Sequence, residues 1–290
     1  MKVIEPKVEI WEQPKGIEGI YKQIERAGRV CYKSENHITA DGAKPFVERM
    51  IASKHYAMLE HGTVYLSIPY NDKTELLIDE LHGNRFTHKA LRATNDGRYY
   101  LFSTNLRVLI EKDMWDICKP YVCDFGKGFF SGDRRVTVHF TTQIAVSREA
   151  NRHRVNSMAE QSTRFCNYSK SKFGGEIAIN RPSWIEKENF VHSLSYDPMG
   201  MLDPVEVWWA ANAYAEACYM RLIQLGWKPE QARVVLPLDT NTELVHTAFV
   251  SDWMHFFDLR ALNKTGKAHP DMIAVAKPLY EEFKRRGYIK

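Results

Sequence analysis

The chain has 290 residues, of which 44% are hydrophobic and 26% charged, and its formal net charge is +4. This apolar content is enough for one large domain, or for one domain that carries an insertion. The mild charge allows anionic small ligands but lacks the basic stripe typical of nucleic-acid-binding proteins, and no run of 18 apolar residues predicts a membrane span.

Helices and strands are both predicted in the first half of the chain. Apolar residues at helical spacing predict helices over 16–28, 43–54 and 105–115. Runs with strand character are TVYLSIPY, RYYLFS and VTVHFTT, at 63–70, 98–103 and 136–142. Asp72 and Glu75 have the spacing of a capping box, which predicts a short helix that ends at Gly83.

The last third of the chain is predicted to be helical. Asp203, Pro204, Glu206 and Gly226 suit the N-cap, first, third and post-terminal positions of a helix over 203–226. Two more helices are predicted, at about 241–260 and at about 270–286. Because so few strands are predicted, we expect an α+β (mixed α/β) fold, in which long helices pack around a modest mixed or antiparallel sheet.

Common cofactor and metal motifs are missing from the sequence. The glycines of FGKGFFSG, at 125–132, do not fit G-x-G-x-x-G, and no strand is predicted before them. No P-loop, H-E-x-x-H or C-x-x-C sequence occurs. We therefore expect a surface turn at 125–132, no Rossmann site and no metal site.

The cysteines and the N-terminal residues favour a reducing, cytoplasmic location. The five cysteines are scattered and odd in number, so reduced thiols are expected. The N-terminal sequence MKVIEPKVEIWEQ has no apolar core and no cleavage site of a signal peptide.

The segment RHRVNSMAEQSTRF, residues 152–165, concentrates cationic side chains. Arginine forks match phosphate and carboxylate oxygens, and arginine stays charged at any working pH. Glu160 can neutralise only one of Arg152, His153, Arg154 and Arg164. The segment is therefore either a solvated, charged turn or a loop that wraps an anionic ligand.

The same segment resembles the signature of the flavin-dependent thymidylate synthases, in which R-H-R is followed after seven residues by Ser, here Ser162. Four other stretches resemble segments of that family and occur in the family's order: RAGRVCYKS at 26–34, KHYAMLEH at 54–61, QARVVLPL at 231–238 and HTAFVSDWMHFFDLR at 246–260. No cysteine follows a proline, unlike the nucleophile of the classical thymidylate synthases.

The resemblance implies a function. Members of that family make dTMP from dUMP, with methylenetetrahydrofolate as carbon donor, FAD as hydride carrier and NADPH as reductant. They are homotetramers whose active sites combine several subunits, and their FAD site is not a Rossmann fold. On this basis we expect one such domain over residues 1–290, with no nucleic-acid or membrane partner.

The resemblance also implies site residues. The FAD-binding positions are His55, Glu60, Arg152, His153, Arg154 and His255. The dUMP-binding positions are Glu160, Ser162, Arg164, Arg233 and Arg260. Arg260 and Ser162 are the expected catalytic residues: Arg260 would stabilise negative charge on the pyrimidine carbonyls, while Ser162 would act as a hydroxyl donor and not as a nucleophile, since no histidine is placed to activate it.

The chain departs from compact members of the family in three respects. It carries extra material at about 70–134, as a sub-domain or a lid. Phe249 and His255 occupy positions where those members often have asparagines, and Glu149 and Ala57 replace a glutamine and a threonine.

Other interpretations stay open from the sequence. His55 could cap its helix end, and Arg233 could cap a helix carbonyl. The alternative function is a non-catalytic nucleotide- or RNA-binding module, which the basic segment and the 12% aromatic content would suit.

Overall fold

Helices surround small, mostly antiparallel sheets in the computed structural model, which describes residues 1–95, 97–186 and 203–290. The strands are β1 (Lys2–Ile4), β2 (Lys7–Trp11), β3 (Thr63–Pro69), β4 (His88–Thr94), β5 (Gly97–Asn105), β6 (Val122–Cys123), β7 (Arg135–Gln143), β8 (Ser157–Glu160), β9 (Ala178–Asn180) and β10 (Asn241–Phe249). The helices are α1 (Gly16–Val30), α2 (Ala43–Ala52), α3 (Glu75–Leu81), α4 (Leu106–Glu111), α5 (Trp115–Cys118), α6 (Ile144–Ala150), α7 (Pro204–Gln224), α8 (Pro229–Ala232), α9 (Val250–Arg260) and α10 (Pro270–Arg285). The predicted α+β class is confirmed.

The central sheet has the strand order β2-β7-β10-β8, and every neighbouring pair is antiparallel. All nine residues of β7 are buried, and β10 pairs with β7 along its whole length. Helices α9 and α10 contribute Trp253, Phe256 and Phe283 to the core that covers this sheet. The sheet is therefore enclosed, and its strand ends hold the loops that form the site.

The helix predicted over about 241–260 is wrong in its first half. Residues Asn241–Phe249 form β10, and the helix α9 begins only at Val250. The segment NTELVHTAF contains several β-branched residues, which favour strands. Because β10 lies in the middle of the sheet and is buried on both faces, the polar–apolar alternation that identifies a strand is lost.

A second antiparallel sheet has the order β4-β5-β3-β6 and is formed mainly by the segment 70–134. Phe102 and Leu109 of this segment share a hydrophobic core with Ile20 and Ile24 of α1. The extra material is thus packed against the N-terminal helices.

The predicted capping box at Asp72 and Glu75 is wrong. The N-cap of α3 is Thr74, and no side chain caps the helix. The Thr74 hydroxyl instead bonds to the carbonyl of Pro69 and accepts from the Asn71 N–H, so it stabilises the preceding turn.

The predicted start and end of α7 are confirmed. The Asp203 carboxylate accepts hydrogen bonds from the N–H groups of Val205 and Glu206, and the Glu206 carboxylate accepts one from the Asp203 N–H at 3.0 Å. Gly226 follows the helix with φ of +94°, a conformation that favours glycine. Within the described ranges, no helix combines the length and the apolar character needed to cross a bilayer.

Candidate functional site

The predicted nucleotide loop leaves the central sheet at the end of β8 and is held in place by backbone hydrogen bonds. The Gln161 N–H donates to the Glu243 carbonyl at 2.8 Å, and the Ser162 N–H donates to the Cys31 carbonyl at 2.9 Å. The Cys166 N–H then donates to the Ser162 carbonyl at 2.9 Å, which closes a turn. The loop is therefore anchored to β10 and to the end of α1.

This loop forms one wall of a cavity of about 560 Å³. The polar residues that line it are Arg148, Glu160, Gln161, Ser162, Thr163, Arg164 and Arg233. Arg233 donates from Nη1 to the Thr163 hydroxyl at 3.1 Å, and Arg164 lies 3.7 Å from the Glu230 carboxylate. Three arginines thus face a cavity with one lining carboxylate, which favours an anionic ligand.

Four of the five predicted nucleotide residues are brought together here, since Glu160, Ser162, Arg164 and Arg233 all line this cavity. Arg148 was missed by the sequence analysis. It lies on α6, the short helix that runs directly into the R-H-R segment. The position of Arg148 close to the R-H-R segment was the signal that could have identified it.

Glu160 is fixed by three hydrogen bonds. Its Oε1 accepts from the hydroxyls of Ser147 at 2.7 Å and Thr242 at 3.2 Å, and its Oε2 accepts from the Asn151 amide at 3.1 Å. A carboxylate has about four acceptor positions, so one is left for a donor on a ligand. Glu160 therefore presents a fixed acceptor at the cavity wall.

Arg260, the fifth predicted residue, does not line this cavity and is held by α6 and the segment after it. It donates to the Glu149 carboxylate at 2.8 Å, to the Glu149 carbonyl at 3.2 Å and to His153 Nε2 at 3.3 Å. Burial lowers the pKa of His153 to about 4, and the neighbouring Arg260 and His255 add to this shift. His153 is therefore neutral near pH 7 and can accept the Arg260 hydrogen bond.

A second cavity, of about 450 Å³, joins two predicted flavin residues to the segment 70–134. Glu60 and Arg154 line it together with Asn84, Arg85, Phe86, Asn105, Arg107 and Glu111. Arg107 donates to Glu60 at 2.6 Å and to Glu111 at 2.8 Å. The sequence leaves this segment as a sub-domain or a lid, and the structure shows that it supplies most of one wall.

Asn156 also lines the second cavity and has an unsatisfied acceptor. Its side chain is 5% exposed, and its Oδ1 has no hydrogen-bond partner among the described residues.

The remaining predicted flavin residues lie apart from these two cavities. His55 is exposed and precedes a short 3₁₀ helix, Tyr56–His61, and Arg152 is exposed after α6. Within the described residues, neither lines the first or the second cavity. His255 is exposed on α9, and its ring centroid lies 5.8 Å from that of His153.

A buried histidine on β10 connects the walls of the two cavities. His246 Nε2 lies 3.3 Å from Asn151 Oδ1, and its Nδ1 lies 3.3 Å from Asn156 Nδ2. Asn151 in turn binds Glu160, while Asn156 lines the second cavity. Burial lowers the pKa of His246 to about 3, so the ring is neutral and can donate from Nε2 and accept at Nδ1. The sequence analysis missed it because it placed residue 246 in a helix.

Known proteins with related sequences cover part of the chain. It is 25% identical over 154 residues to a probable flavin-dependent thymidylate synthase of Paramecium bursaria Chlorella virus 1, a match that covers 51% of this chain and 67% of that protein. It is 29% identical over 119 residues to a flavin-dependent thymidylate synthase of Haloarcula marismortui, covering 38% of this chain and 47% of that protein. The matches therefore span between about half and two thirds of these relatives.

Among solved structures, the chain is similar to a UMP/dUMP methylase, PolB of Streptomyces cacaoi, bound with 5-Br dUMP. The sequence identity is 16% and the TM-score is 0.44, and the alignment covers 98% of this chain and 93% of that one. A family model, described as thymidylate synthase complementing protein, matches residues 134–286, from the start of β7 to the end of α10. This match includes more than half of the chain, which therefore belongs to the thymidylate synthase complementing protein family.

Proposed function

We propose that this protein methylates dUMP reductively to dTMP, with 5,10-methylenetetrahydrofolate as carbon donor, FAD as hydride carrier and NADPH as reductant. Membership of the family and the names of the relatives support this activity. The observation that carries the proposal is the convergence of Arg148, Arg164 and Arg233 with Ser162 around the fixed carboxylate of Glu160. These are the groups that a phosphorylated nucleoside requires.

The nucleotide phosphate would bind to the arginine side of the first cavity. The forked donors of Arg164 and Arg233 match phosphate oxygens, and the Ser162 hydroxyl can add a hydrogen bond. The Glu160 carboxylate, fixed by its three donors, would accept from an N–H or O–H of the nucleoside.

Arg260 would act on the pyrimidine ring. Three of its five N–H groups are engaged by Glu149 and His153, so two can donate to a ring carbonyl oxygen. Negative charge develops on that oxygen when C5 attacks the one-carbon unit, and a fixed cation stabilises it. The Glu149 carboxylate holds the guanidinium in place but also offsets part of its charge.

The second cavity fits part of a flavin dinucleotide. Arg154 and Arg107 can bind an anionic diphosphate, and Phe86 offers an aromatic face. When bound, the flavin would carry hydride from the nicotinamide reductant to the one-carbon unit. The protein's own residues would position it and supply the electrostatic field. His55, His153, Arg152 and His255 remain proposed flavin contacts on the strength of the resemblance.

We also propose that residues 1–290 form one domain with an inserted segment at 70–134, because that segment shares its core with α1. The protein would act as a cytoplasmic homotetramer, in which sites from several copies combine. Light scattering of the purified protein tests the tetramer.

The activity is tested with the purified full chain. Its visible spectrum after addition of FAD reports flavin binding, and mass spectrometry reports dTMP formed from dUMP, methylenetetrahydrofolate and NADPH. Reactions that lack one reactant are the controls. We expect dTMP only in the complete mixture; a protein that neither binds FAD nor makes dTMP contradicts the proposal.

A second candidate function is a non-catalytic nucleotide- or RNA-binding module. Its specific support is the pair of exposed rings of Tyr32 and Phe165, 5.2 Å apart and next to Arg164, on which unpaired bases could stack. It predicts affinity for single-stranded oligonucleotides that falls steeply with salt. Absence of oligonucleotide binding at low salt eliminates it.

A further inference from the structure

The segment 70–134 closes a small chamber against the end of β10 and the start of α9. The chamber has a volume of about 90 Å³, and its lining includes Arg85, Phe86, His88, Arg135, Phe249 and Asp252. Arg85 and Phe86 line both this chamber and the second cavity, so the two spaces adjoin.

Arg135 is a buried cation with spare donors. Its side chain is 9% exposed, and it donates to the carbonyls of Glu60 and Thr104 and to the Ser157 hydroxyl. A guanidinium has five N–H groups, so two are left, and Nε is one that has no partner among the described residues. Burial lowers the pKa of Arg135 to about 10, which leaves it charged at neutral pH.

No carboxylate in the described residues forms an ion pair with this buried charge. Asp252 lines the same chamber and attracts Arg135 electrostatically, but it makes no ion pair with it. His88 is held through Nδ1 by the Asp133 carboxylate at 3.0 Å. Two arginines, Arg85 and Arg135, therefore line the chamber with one carboxylate, which leaves an excess of positive charge.

The walls of the chamber are rigid. The rings of His88 and Phe249 are stacked, with centroids 3.7 Å apart and an interplanar angle of 8°. The Arg135 guanidinium lies 5.5 Å from the Phe249 ring centroid. The donors of Arg135 are therefore positioned before any ligand enters, which lowers the entropic cost of binding, while the exposed Arg85 guanidinium lies over the Phe86 ring.

We propose that this chamber binds an oxyanion group, phosphate or carboxylate, of a ligand whose remainder extends into the second cavity. Arg135 and Arg85 would be its ligands, and both match such oxygens with forked donors. A volume of about 90 Å³ is enough to admit one such group. The inference rests on the proposed use of these cofactors, but its test measures binding alone and does not depend on dTMP formation.

Calorimetric titration of the full chain with inorganic pyrophosphate tests the site. A background with both Arg233→Ala and Arg154→Met weakens anion binding in the first cavity and at the diphosphate position proposed in the second cavity, so that the chamber dominates. In that background, we expect Arg85→Met to weaken pyrophosphate binding about tenfold, through loss of one charged fork. Arg98→Met, which removes an exposed arginine of β5 away from the chamber, is the matched control and should leave the affinity unchanged.

Two results overturn the proposal: no pyrophosphate binding in this double-variant background, or equal affinity with and without Arg85→Met. Arg135→Met should abolish binding. Arg135→Met also removes three hydrogen bonds, so its circular dichroism spectrum is compared with that of the parent. If Arg135→Met does not fold, the test of the site rests on Arg85→Met alone.

Competition identifies the source of the oxyanion. Displacement of pyrophosphate by FAD assigns it to the flavin diphosphate. Displacement by NADP⁺ but not NAD⁺ assigns it to the extra phosphate of the nicotinamide cofactor, and displacement only by a folate with added glutamates assigns it to carboxylates. Each of these outcomes supports the chamber as an oxyanion site, and none includes a turnover step, so they are independent of the dTMP assay.

Discussion

Three buried histidines should make the protein sensitive to mild acid. Burial is the main cause that lowers the pKa of His61 to about 3, of His153 to about 4 and of His246 to about 3. In the unfolded chain these rings titrate near 6.5. The unfolded state therefore takes up protons first as the pH falls, so the stability that neutral histidines provide is complete above pH 6.5 and is lost towards the native pKa values.

The size of the effect follows from the difference between the pH of the measurement and the ordinary histidine pKa in the unfolded chain. At pH 5, each histidine destabilises the native state by about 2 kcal/mol, and the three together by about 6 kcal/mol, a large part of a typical stability of about 5–15 kcal/mol. Burial opposes the ionised form of Glu243, but hydrogen bonds to His139 and Lys33 outweigh it and lower the pKa of Glu243 to about 2. Glu243 therefore adds a loss of stability only below its ordinary pKa of 4.5. The interval from pH 7 to pH 5 therefore reports chiefly on histidines.

Urea unfolding at pH 7 and at pH 5, followed by circular dichroism, measures this loss. His246→Gln keeps a donor and an acceptor but cannot titrate, so it should reduce the loss by about 2 kcal/mol. His37→Gln, which changes a histidine at an exposed position, is the control and should leave the loss unchanged. Equal unfolding free energies at the two pH values, or an unaltered loss in His246→Gln, would refute the reasoning.

Substitutions at three positions test the site residues. Arg164→Ala should weaken dUMP binding at least about tenfold and leave FAD binding unchanged in calorimetric titrations, because its fork matches a phosphate; unchanged dUMP affinity would contradict the loop assignment. Ser162→Ala should retain measurable dTMP formation, and complete loss with dUMP still bound would instead indicate a nucleophile. Glu149→Gln replaces a charge-assisted bond to Arg260 by a neutral one and should lower the free energy of unfolding by about 1 kcal/mol, against about 2–3 kcal/mol for Glu149→Ala. Urea unfolding at pH 7 measures both, and no loss in Glu149→Ala would argue against the ion pair.

Parts of the fold with local signals could be predicted from the sequence. The start of α7 needs only Asp203, Pro204 and Glu206, which interact within one turn. The strand β10 could not be predicted in this way, since its nine residues are stabilised by pairing with β7, about a hundred positions earlier in the chain. A strand buried on both faces has no alternation to reveal it.

The same distinction applies to the candidate site: contacts within one loop could be predicted, and contacts between distant segments could not. Glu160, Ser162 and Arg164 are close in sequence, so their convergence with one another follows from a single loop. Arg135 lies at the end of β10 because it pairs with Phe249 across the central sheet, whereas the approach of Arg85 depends on how the inserted segment packs against that sheet. No spacing rule in the sequence describes that packing, so the sequence leaves the inserted segment as a sub-domain or a lid.

The stacking of His88 on Phe249 suggests why the inserted segment and the altered position 249 occur together. The resemblance places an asparagine in compact members where this chain has Phe249, which has no side-chain hydrogen bond to offer. In this chain the phenylalanine ring is covered by His88 of β4, and donors beside it come from Arg135 and Arg85 instead. Arg135 begins β7 and pairs with Phe249 across the central sheet, while Arg85 is an exposed residue of the inserted segment, which Phe102 and Leu109 fasten to α1. Under the proposed oxyanion site, the polar role has moved from a side chain at 249 to Arg135 of β7 and Arg85 of the inserted segment, and Phe249→Asn should therefore fail to replace Arg85 in pyrophosphate binding.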